Sequence, residues 1–339
     1  MSVSLAVKYR PQKPEDVVGQ KSVVKILENQ IESGNIKNVY LFAGCTGCGK
    51  TTMARIFASL VNGGVGEPFE IDAASNNNIE SIRSIVKSAY ERAIEGKYKV
   101  YILDEVHQLS AAAFQPLLKT FEEPPATTIF ILCTTDPQKI PATILNRVQR
   151  FNFNRIPSQD IKERLRYVCK CEDFINYEEA IDYISKIANG CMREALTLLD
   201  KCVAYSTDLS IQNVITALGN YSYDTFFNLV NNMIDGNEGE VLNLIDHIYD
   251  EGNDLKLFID QYLKFIIDVS KYILFNSCDP TSIPASMEDC LKNVVNFENP
   301  LNYYTYVMDK LLDLKNMLKN DVDIKSTVEV VCLQITRMK

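Results

Sequence analysis

The sequence predicts an α/β protein in which a five-stranded parallel sheet with helices on both faces is followed by a purely helical remainder. Three observations predict it. Over roughly the first 155 residues, short β-rich runs alternate with helical patterns, the order that builds a parallel sheet. Two of the runs, Val100-Tyr-Ile-Leu103 and Thr128-Ile-Phe-Ile-Leu-Cys-Thr134, are almost continuously apolar, as strands covered on both faces must be. After Pro157 the strand signals nearly vanish and apolar residues recur at helical spacing.

In chain order, the expected strands are Val39–Ala43, Phe69–Asp72, Val100–Asp104, Thr128–Thr134 and Arg150–Phe153. Helical patterns between them cover Thr51–Leu60, Ile79–Ile94 and Ala112–Phe121. Ser158 suits the N-cap of a helix starting at Gln159, whose apolar positions are Ile161, Leu165 and Val168. Tyr177–Ile187 and, after Gly190, Met192–Ala204 complete a three-helix unit. Long helices follow from about Asp224, among them Leu255–Leu274 and Leu301–Leu318. Pro280 and Pro284 interrupt them, and Pro300 sits as a first-turn proline. The expected domains are residues 1–157, 158–220 and 221–339.

A chain of 339 residues is too long for one ordinary core, and 46% hydrophobic with 23% charged residues is the balance of a folded globular protein. No apolar run approaches the roughly 18 residues that would span a bilayer. Met1–Lys8 lacks a charged start followed by an apolar stretch, so the expected location is cytoplasmic, without membrane association. A net charge of −9 and pI near 5.0 argue against a surface coated in nucleic-acid contacts, while leaving room for a local site. The ten cysteines are expected to be mostly reduced and buried. Cys45 and Cys48 have the spacing of half a zinc site but fall within a glycine-rich loop, and Cys169 and Cys171 lack a second pair, so no zinc is expected.

That loop is Gly44-Cys-Thr-Gly-Cys-Gly-Lys50-Thr51, directly after an expected strand and opening an expected helix. Glycines let backbone N–H groups converge on phosphates, and the helix N-terminus favours their charge. Gly44, Cys45, Thr46, Gly47, Cys48, Gly49, Lys50, Thr51 and Thr52 are therefore the expected ATP-phosphate cradle. Lys50 would neutralise the β- and γ-phosphates, and Thr51 would ligate Mg²⁺. The strand Val100–Asp104 ends in Asp104-Glu105, with Asp104 suited to the magnesium shell and Glu105 to polarising the attacking water. His107 could be read as a base; with Glu105 in that role, a structural or coupling function is expected instead.

Seven segments together resemble the gamma/tau clamp-loader ATPases of bacterial DNA polymerase III: Lys8-Tyr-Arg-Pro11, Val17-Val-Gly-Gln20, the phosphate loop, Asp104-Glu-Val-His107, Lys119-Thr-Phe-Glu-Glu-Pro-Pro125, Thr134-Thr-Asp-Pro-Gln-Lys-Ile-Pro141 and Gly190-Cys-Met-Arg-Glu-Ala-Leu196. The resemblance runs from about residue 5 to 220; beyond that it rests on length and helical character. It implies an AAA+ fold with a three-helix lid and a helical collar. It also implies that Tyr9, Arg10, Pro11, Val17 and Val18 line an adenine pocket. Thr135 matches the sensor-1 position and Arg193 the sensor-2 arginine of the lid. Arg147 matches a trans-acting arginine finger, although its neighbours here are Asn146 and Val148 rather than Ser and Cys. A plain surface arginine is the alternative.

The resemblance further implies an ATPase that loads a sliding clamp onto primer-template DNA, stimulated by both. Its partners would be the other loader subunits, with about four copies of this chain completed to a pentamer. DNA contacts would fall on Asn76, Asn77, Asn78 and Arg83, where relatives carry more basic residues; a simple N-capped turn is the competing reading. The segment Tyr90–Ile94 matches the clamp-facing helix end, though its apolar residues suit a core equally. Val61–Pro68 stands where relatives carry a four-cysteine zinc module, and no tau extension follows the collar, a form expected of a phage or streamlined genome. Another DNA-remodelling AAA+ ATPase, or a non-hydrolysing scaffold subunit, are the alternative functions.

Overall fold

The computed structural model describes residues 3–91, 93, 95–319 and 323–338. By packing, the chain divides into two compact units, Met1–Cys171 with Ala188–Asp200, and Glu172–Ile187 with Lys201–Lys339.

In the first unit, five strands, β1 (Val39–Gly44), β2 (Phe69–Asp72), β3 (Lys99–Asp104), β4 (Thr128–Thr134) and β5 (Gln149–Phe153), form one sheet in the order β2-β3-β4-β1-β5. All four pairings are parallel. Successive residues of β1 go to opposite faces. Tyr40 and Phe42 join one core with Ile102, Ile129 and Ile131, while Val39 and Leu41 join the other with Tyr101, Phe130 and Leu132. Both faces being covered is why the strands read as continuous apolar runs. Before and between the strands lie α1 (Leu5–Lys8), α2 (Lys21–Glu32), α3 (Lys50–Val61), α4 (Ile79–Ala89), α5 (Ala111–Glu122) and α6 (Ala142–Leu145). Helices α2 and α3 cover the first face through Leu27, Met53 and Phe57; α4 and α5 cover the second through Ile82, Phe114 and Leu117. Strand β1 is flanked by β4 and β5, so the carboxyl ends of β1, β3 and β4 open on one edge of the sheet near the point where strand order reverses.

Helices α7 (Ser158–Cys171), α8 (Glu178–Ile187) and α9 (Met192–Tyr205) follow, then α10 (Ile211–Leu218), α11 (Tyr223–Asp235), α12 (Glu238–Asp250), α13 (Leu255–Phe275), α14 (Glu288–Val294), α15 (Pro300–Met317) and α16 (Ile324–Thr336). The core of the second unit is aromatic: Phe258, Tyr262 and Tyr304 are fully buried, and Phe226 stacks on Phe265 with centroids 5.4 Å apart. Asp268, on α13, is buried and accepts from Lys271 at 2.7 Å, from the Ser282 amide at 2.9 Å and from the Ser282 hydroxyl. These bonds anchor the proline-containing segment between α13 and α14.

Most boundaries fall within one residue of the sequence reading, and two of the differences have a local cause. Helix α4 stops at Ala89 rather than Ile94, because Tyr90 and Glu91 turn their amides back to the carbonyls of Lys87 and Ser88 in a tightened last turn. Residues 92 and 94, part of the expected clamp-facing segment, lie outside the described residues. Helix α7 starts at Ser158, not Gln159: the Pro157 carbonyl accepts from Ile161, so Pro157 takes the flanking position. Helices α2, α10, α14 and α16 were not singled out from the sequence.

Candidate functional site

At the carboxyl edge of the sheet lies a cavity of about 340 Å³, lined by the phosphate loop, the end of β3, the N-terminal segment and the start of α9, all within the first unit. The loop owes its path to its glycines. Gly47 and Gly49 take φ of 66° and 105°, the left-handed region open to glycine. Gly44 instead permits a close approach: a Cβ there would strike the Phe153 carbonyl of β5. We expect Gly44→Ala to lower stability by about 1–3 kcal/mol through a forced backbone shift, measured as a displaced urea midpoint with unchanged slope. An unaltered midpoint would show that β5 can yield.

Helix α3 starts at Lys50, with the Gly49 carbonyl accepting from Met53 at 2.8 Å, so its N-terminal amides face the loop. Lys50 is 6% exposed, and its ammonium donates to the carbonyls of Gly44 at 3.0 Å and Cys45 at 2.9 Å. The Thr51 hydroxyl donates to Asp104 Oδ2 at 2.7 Å, and Asp104 Oδ1 accepts the Glu105 amide at 2.9 Å. Glu105 has φ of 48°, a strained value for a glutamate that swings it off the strand axis. Its Oε2 accepts from the Thr135 hydroxyl at 3.0 Å. Thr51, Asp104, Glu105 and Thr135 thus form one connected set drawn from three segments of the chain.

Tyr9, Arg10, Pro11, Val17 and Val18 line the same cavity, as do Thr46, Gly47, Cys48, Thr52 and Arg193. Burial, then the guanidiniums of Arg55 and Arg193, hold Arg10 below the usual arginine range, with Glu70 opposing. Cations gathered around a cavity that also holds Lys50 suit a polyphosphate. Cys48 is buried, donates to the Cys45 carbonyl at 2.8 Å and has its thiol pushed up to about 11 by burial, the behaviour of a packed thiol. Among the described residues, no group of three or more His, Cys, Asp or Glu side chains could hold a metal by itself. The Thr51 hydroxyl and Asp104 carboxylate are hard oxygen donors, and that pair fits a magnesium ion brought in on phosphates.

Three further residues tie these segments together. Gln20 is buried and donates to the carbonyls of Cys48 at 3.2 Å and Asn154 at 2.8 Å, stapling the N-terminal segment to the loop and to the residue after β5. Arg164, on α7, donates to the Tyr9 carbonyl at 2.9 Å and lies against the Tyr167 ring. In sequence it is one more arginine on an amphipathic helix. The amide of Met192 donates to the Gly47 carbonyl at 3.1 Å, joining the start of α9 to the loop.

Other expected residues lie apart. Arg147, after α6, does not line the cavity; its guanidinium donates to Glu122 Oε1 and to the Thr143 carbonyl, each at 2.5 Å. At the start of α4, Asn78 is the N-cap, its side-chain oxygen accepting from the Ser81 amide at 2.8 Å. Asn76 donates to the Asp72 carbonyl at 3.1 Å, whereas Asn77 and Arg83 are exposed.

Residues 68–157 match the family described as DNA polymerase III, delta subunit, and residues 160–208 match the ATPase lid domain of the DNA polymerase III clamp loader subunit. Among curated proteins, the DNA polymerase III subunit gamma of Buchnera aphidicola (subsp. Schizaphis graminum) is 32% identical, over 99% of this chain and 98% of the relative. The tau subunit of Bacillus subtilis is 38% identical over 78% of this chain and 51% of its own length; that of Escherichia coli is 32% identical over 90% and 52%. The chain therefore spans about half the length of these tau relatives. Among solved structures, the RuvB Holliday junction branch migration motor of Thermotoga maritima aligns with a TM-score of 0.53 at 20% identity, over 67% of this chain and 79% of that one, a likeness of fold.

Proposed function

Because the chain belongs to the gamma/tau subunit family of DNA polymerase III, we propose that it is an AAA+ clamp-loader ATPase, using ATP binding and hydrolysis to open a sliding clamp and load it onto primer-template DNA. The observation that carries this reading is the connected set Thr51, Asp104, Glu105 and Thr135 beside the phosphate loop. The amides of the loop and of the first turn of α3 bind the phosphates. Lys50 is held at the loop by two carbonyls and is placed to exchange them for β- and γ-phosphate oxygens. Magnesium, held through Thr51 and Asp104, would neutralise charge developing on those oxygens. Glu105 orients the attacking water and draws its proton, while Thr135 keeps that carboxylate in place. Arg193, lining the cavity from α9, reports the γ-phosphate to the lid.

In this reading, residues 1–157 are the nucleotide-binding domain, 158–220 the lid and 221–339 the collar through which about four copies and a further subunit assemble. The Val61–Pro68 segment takes the place of a zinc module, with Gly63, Gly64 and Gly66 all at positive φ. No helix among the described residues is long and apolar enough to cross a membrane, and we place the protein in the cytoplasm with the replication machinery. Steady-state ATPase of the purified chain, with and without primer-template DNA and clamp, tests the proposal. Stimulation by both is expected. ATP binding without turnover under every condition would favour the scaffold reading, and turnover indifferent to DNA and clamp would favour another AAA+ machine.

DNA binding separates two roles at α4. Arg83→Ala is expected to weaken primer-template binding and reduce the salt slope by about 0.9, one neutralised phosphate. Asn78→Ala should instead cost about 1 kcal/mol of stability through the lost cap, with the salt slope unchanged. Fluorescence anisotropy across a salt series checks both; an unchanged slope for Arg83→Ala would remove it from the interface.

A further inference from the structure

His107 lies in a single 3-10 turn, Val106–Gln108, immediately after the acidic end of β3, and its side chain is 8% exposed. Its ring meets three groups. Nδ1 is 3.3 Å from Glu105 Oε2 and 3.2 Å from the Thr134 hydroxyl, while Nε2 is 3.1 Å from Gln108 Nε2. The carboxylate decides which nitrogen must donate. A carboxylate oxygen can only accept, so Nδ1 of His107 carries a proton where it meets Glu105, while the Gln108 carboxamide can turn either end toward Nε2. Nδ1 meets hydrogen-bond geometry with the Thr134 hydroxyl and faces the Glu105 carboxylate, the stronger acceptor, at 3.3 Å. Thr134 Oγ1 already accepts the Asp136 amide at 3.0 Å.

We propose that His107 is a positioning residue for the catalytic glutamate: its Nδ1–H and the Thr135 hydroxyl both grip Oε2 of Glu105, leaving Oε1 as the oxygen that meets the water. This deepens the ATPase reading above and rests on it. Two donors on one oxygen fix the carboxylate plane as well as its position, which one donor cannot do. Glu105 needs such bracing because its backbone sits in the left-handed region, off the regular strand that would otherwise set its direction. Among the described residues, no hydrogen bond reaches Oε1. The bracing joins the ends of β3 and β4, so a shift between these two strands reaches the carboxylate directly.

Side-chain length makes the idea testable. The amide nitrogen of asparagine falls where Nδ1 of histidine lies, that of glutamine falls where Nε2 lies, and phenylalanine keeps the ring without a donor. Single-turnover hydrolysis at saturating ATP, in the assembly with clamp and primer-template DNA, should find His107→Asn within about threefold of the wild type. His107→Gln and His107→Phe should fall at least about tenfold, with ATP affinity unchanged in all three. A His107→Phe variant as fast as the wild type, or a His107→Asn variant as slow as His107→Phe, overturns the proposal. A second measurement needs no turnover. The chain holds two histidines, so ¹⁵N-histidine NMR, assigned with His247→Gln at an exposed position of α12, reads the protonated nitrogen directly. The expected signature is a protonated Nδ1 at His107; a form protonated at Nε2 alone sinks the idea. Loss of stimulation by DNA and clamp in the wild type would count against the clamp-loader reading alone, since the protonated nitrogen decides the fate of His107 either way.

Discussion

Lys50→Ala is expected to abolish ATP turnover, lowering kcat/KM by about 10²–10³-fold or more, in the range set by removing a single charged or oxyanion-stabilising donor. The argument is geometric. Lys50 is almost fully buried at the base of the cavity, and its ammonium is already directed at the loop by the carbonyls of Gly44 and Cys45. Among the described residues, no other lysine lines the cavity. Arg10 and Arg193 approach from the N-terminal segment and from α9, so they are not placed to replace a cation seated in the first turn of α3. Titration with a fluorescent ATP analogue and a steady-state ATPase assay measure the two components, with thermal unfolding as the check that the fold survives. An ATP affinity and turnover both within about threefold of the wild type would mean that the loop binds something other than a nucleoside triphosphate.

The second large effect belongs to Arg147. In the assembled loader, Arg147→Ala should reduce turnover by about 10³–10⁵-fold, the span measured for arginine fingers, while each subunit keeps its ATP affinity. The residue does not line its own cavity, and Glu122 and the Thr143 carbonyl hold its guanidinium in a defined pose. On the proposed clamp-loader reading, its target is a neighbour's ATP. Mixing makes the test sharp. Assemblies of Arg147→Ala alone or Lys50→Ala alone should be inactive, but mixed assemblies should regain part of the rate, because a Lys50→Ala subunit can present its intact arginine to a partner's intact site. Absence of any recovery, or an Arg147→Ala chain that hydrolyses ATP normally, would remove the trans finger from the mechanism.

Much of this site was legible before the fold was known. The phosphate loop announces itself by glycine spacing between an apolar strand and a helix, and Asp104-Glu105 by two acids closing another apolar run. Both are local patterns. The helix ends were legible to within a residue or so where turn chemistry is local, as at Pro300. They failed at α4, where apolar spacing continued past the turn that ends the helix. Asn78 shows the same limit from the other side: its sequence suited both a phosphate contact and a cap, and the hydrogen bond to Ser81 shows that its oxygen serves the cap.

The sequence by itself determined the class of fold, the position of the glycine-rich loop between its strand and its helix, and the helical character of the chain beyond Pro157, because periodicity, turn chemistry and motif spacing act over a few residues at a time. Only the tertiary structure decided which side chains complete the cradle. Gln20 and Arg164 matter through carbonyls far away in the chain, Gly44 through the carbonyl of a strand formed more than a hundred residues later, and Glu105 through the Thr135 hydroxyl at the neighbouring strand end. Those pairings follow from the strand order β2-β3-β4-β1-β5, which brings β3, β4 and β1 side by side. Strand order is set by burying both faces of the whole sheet at once, and no local pattern in the chain encodes it.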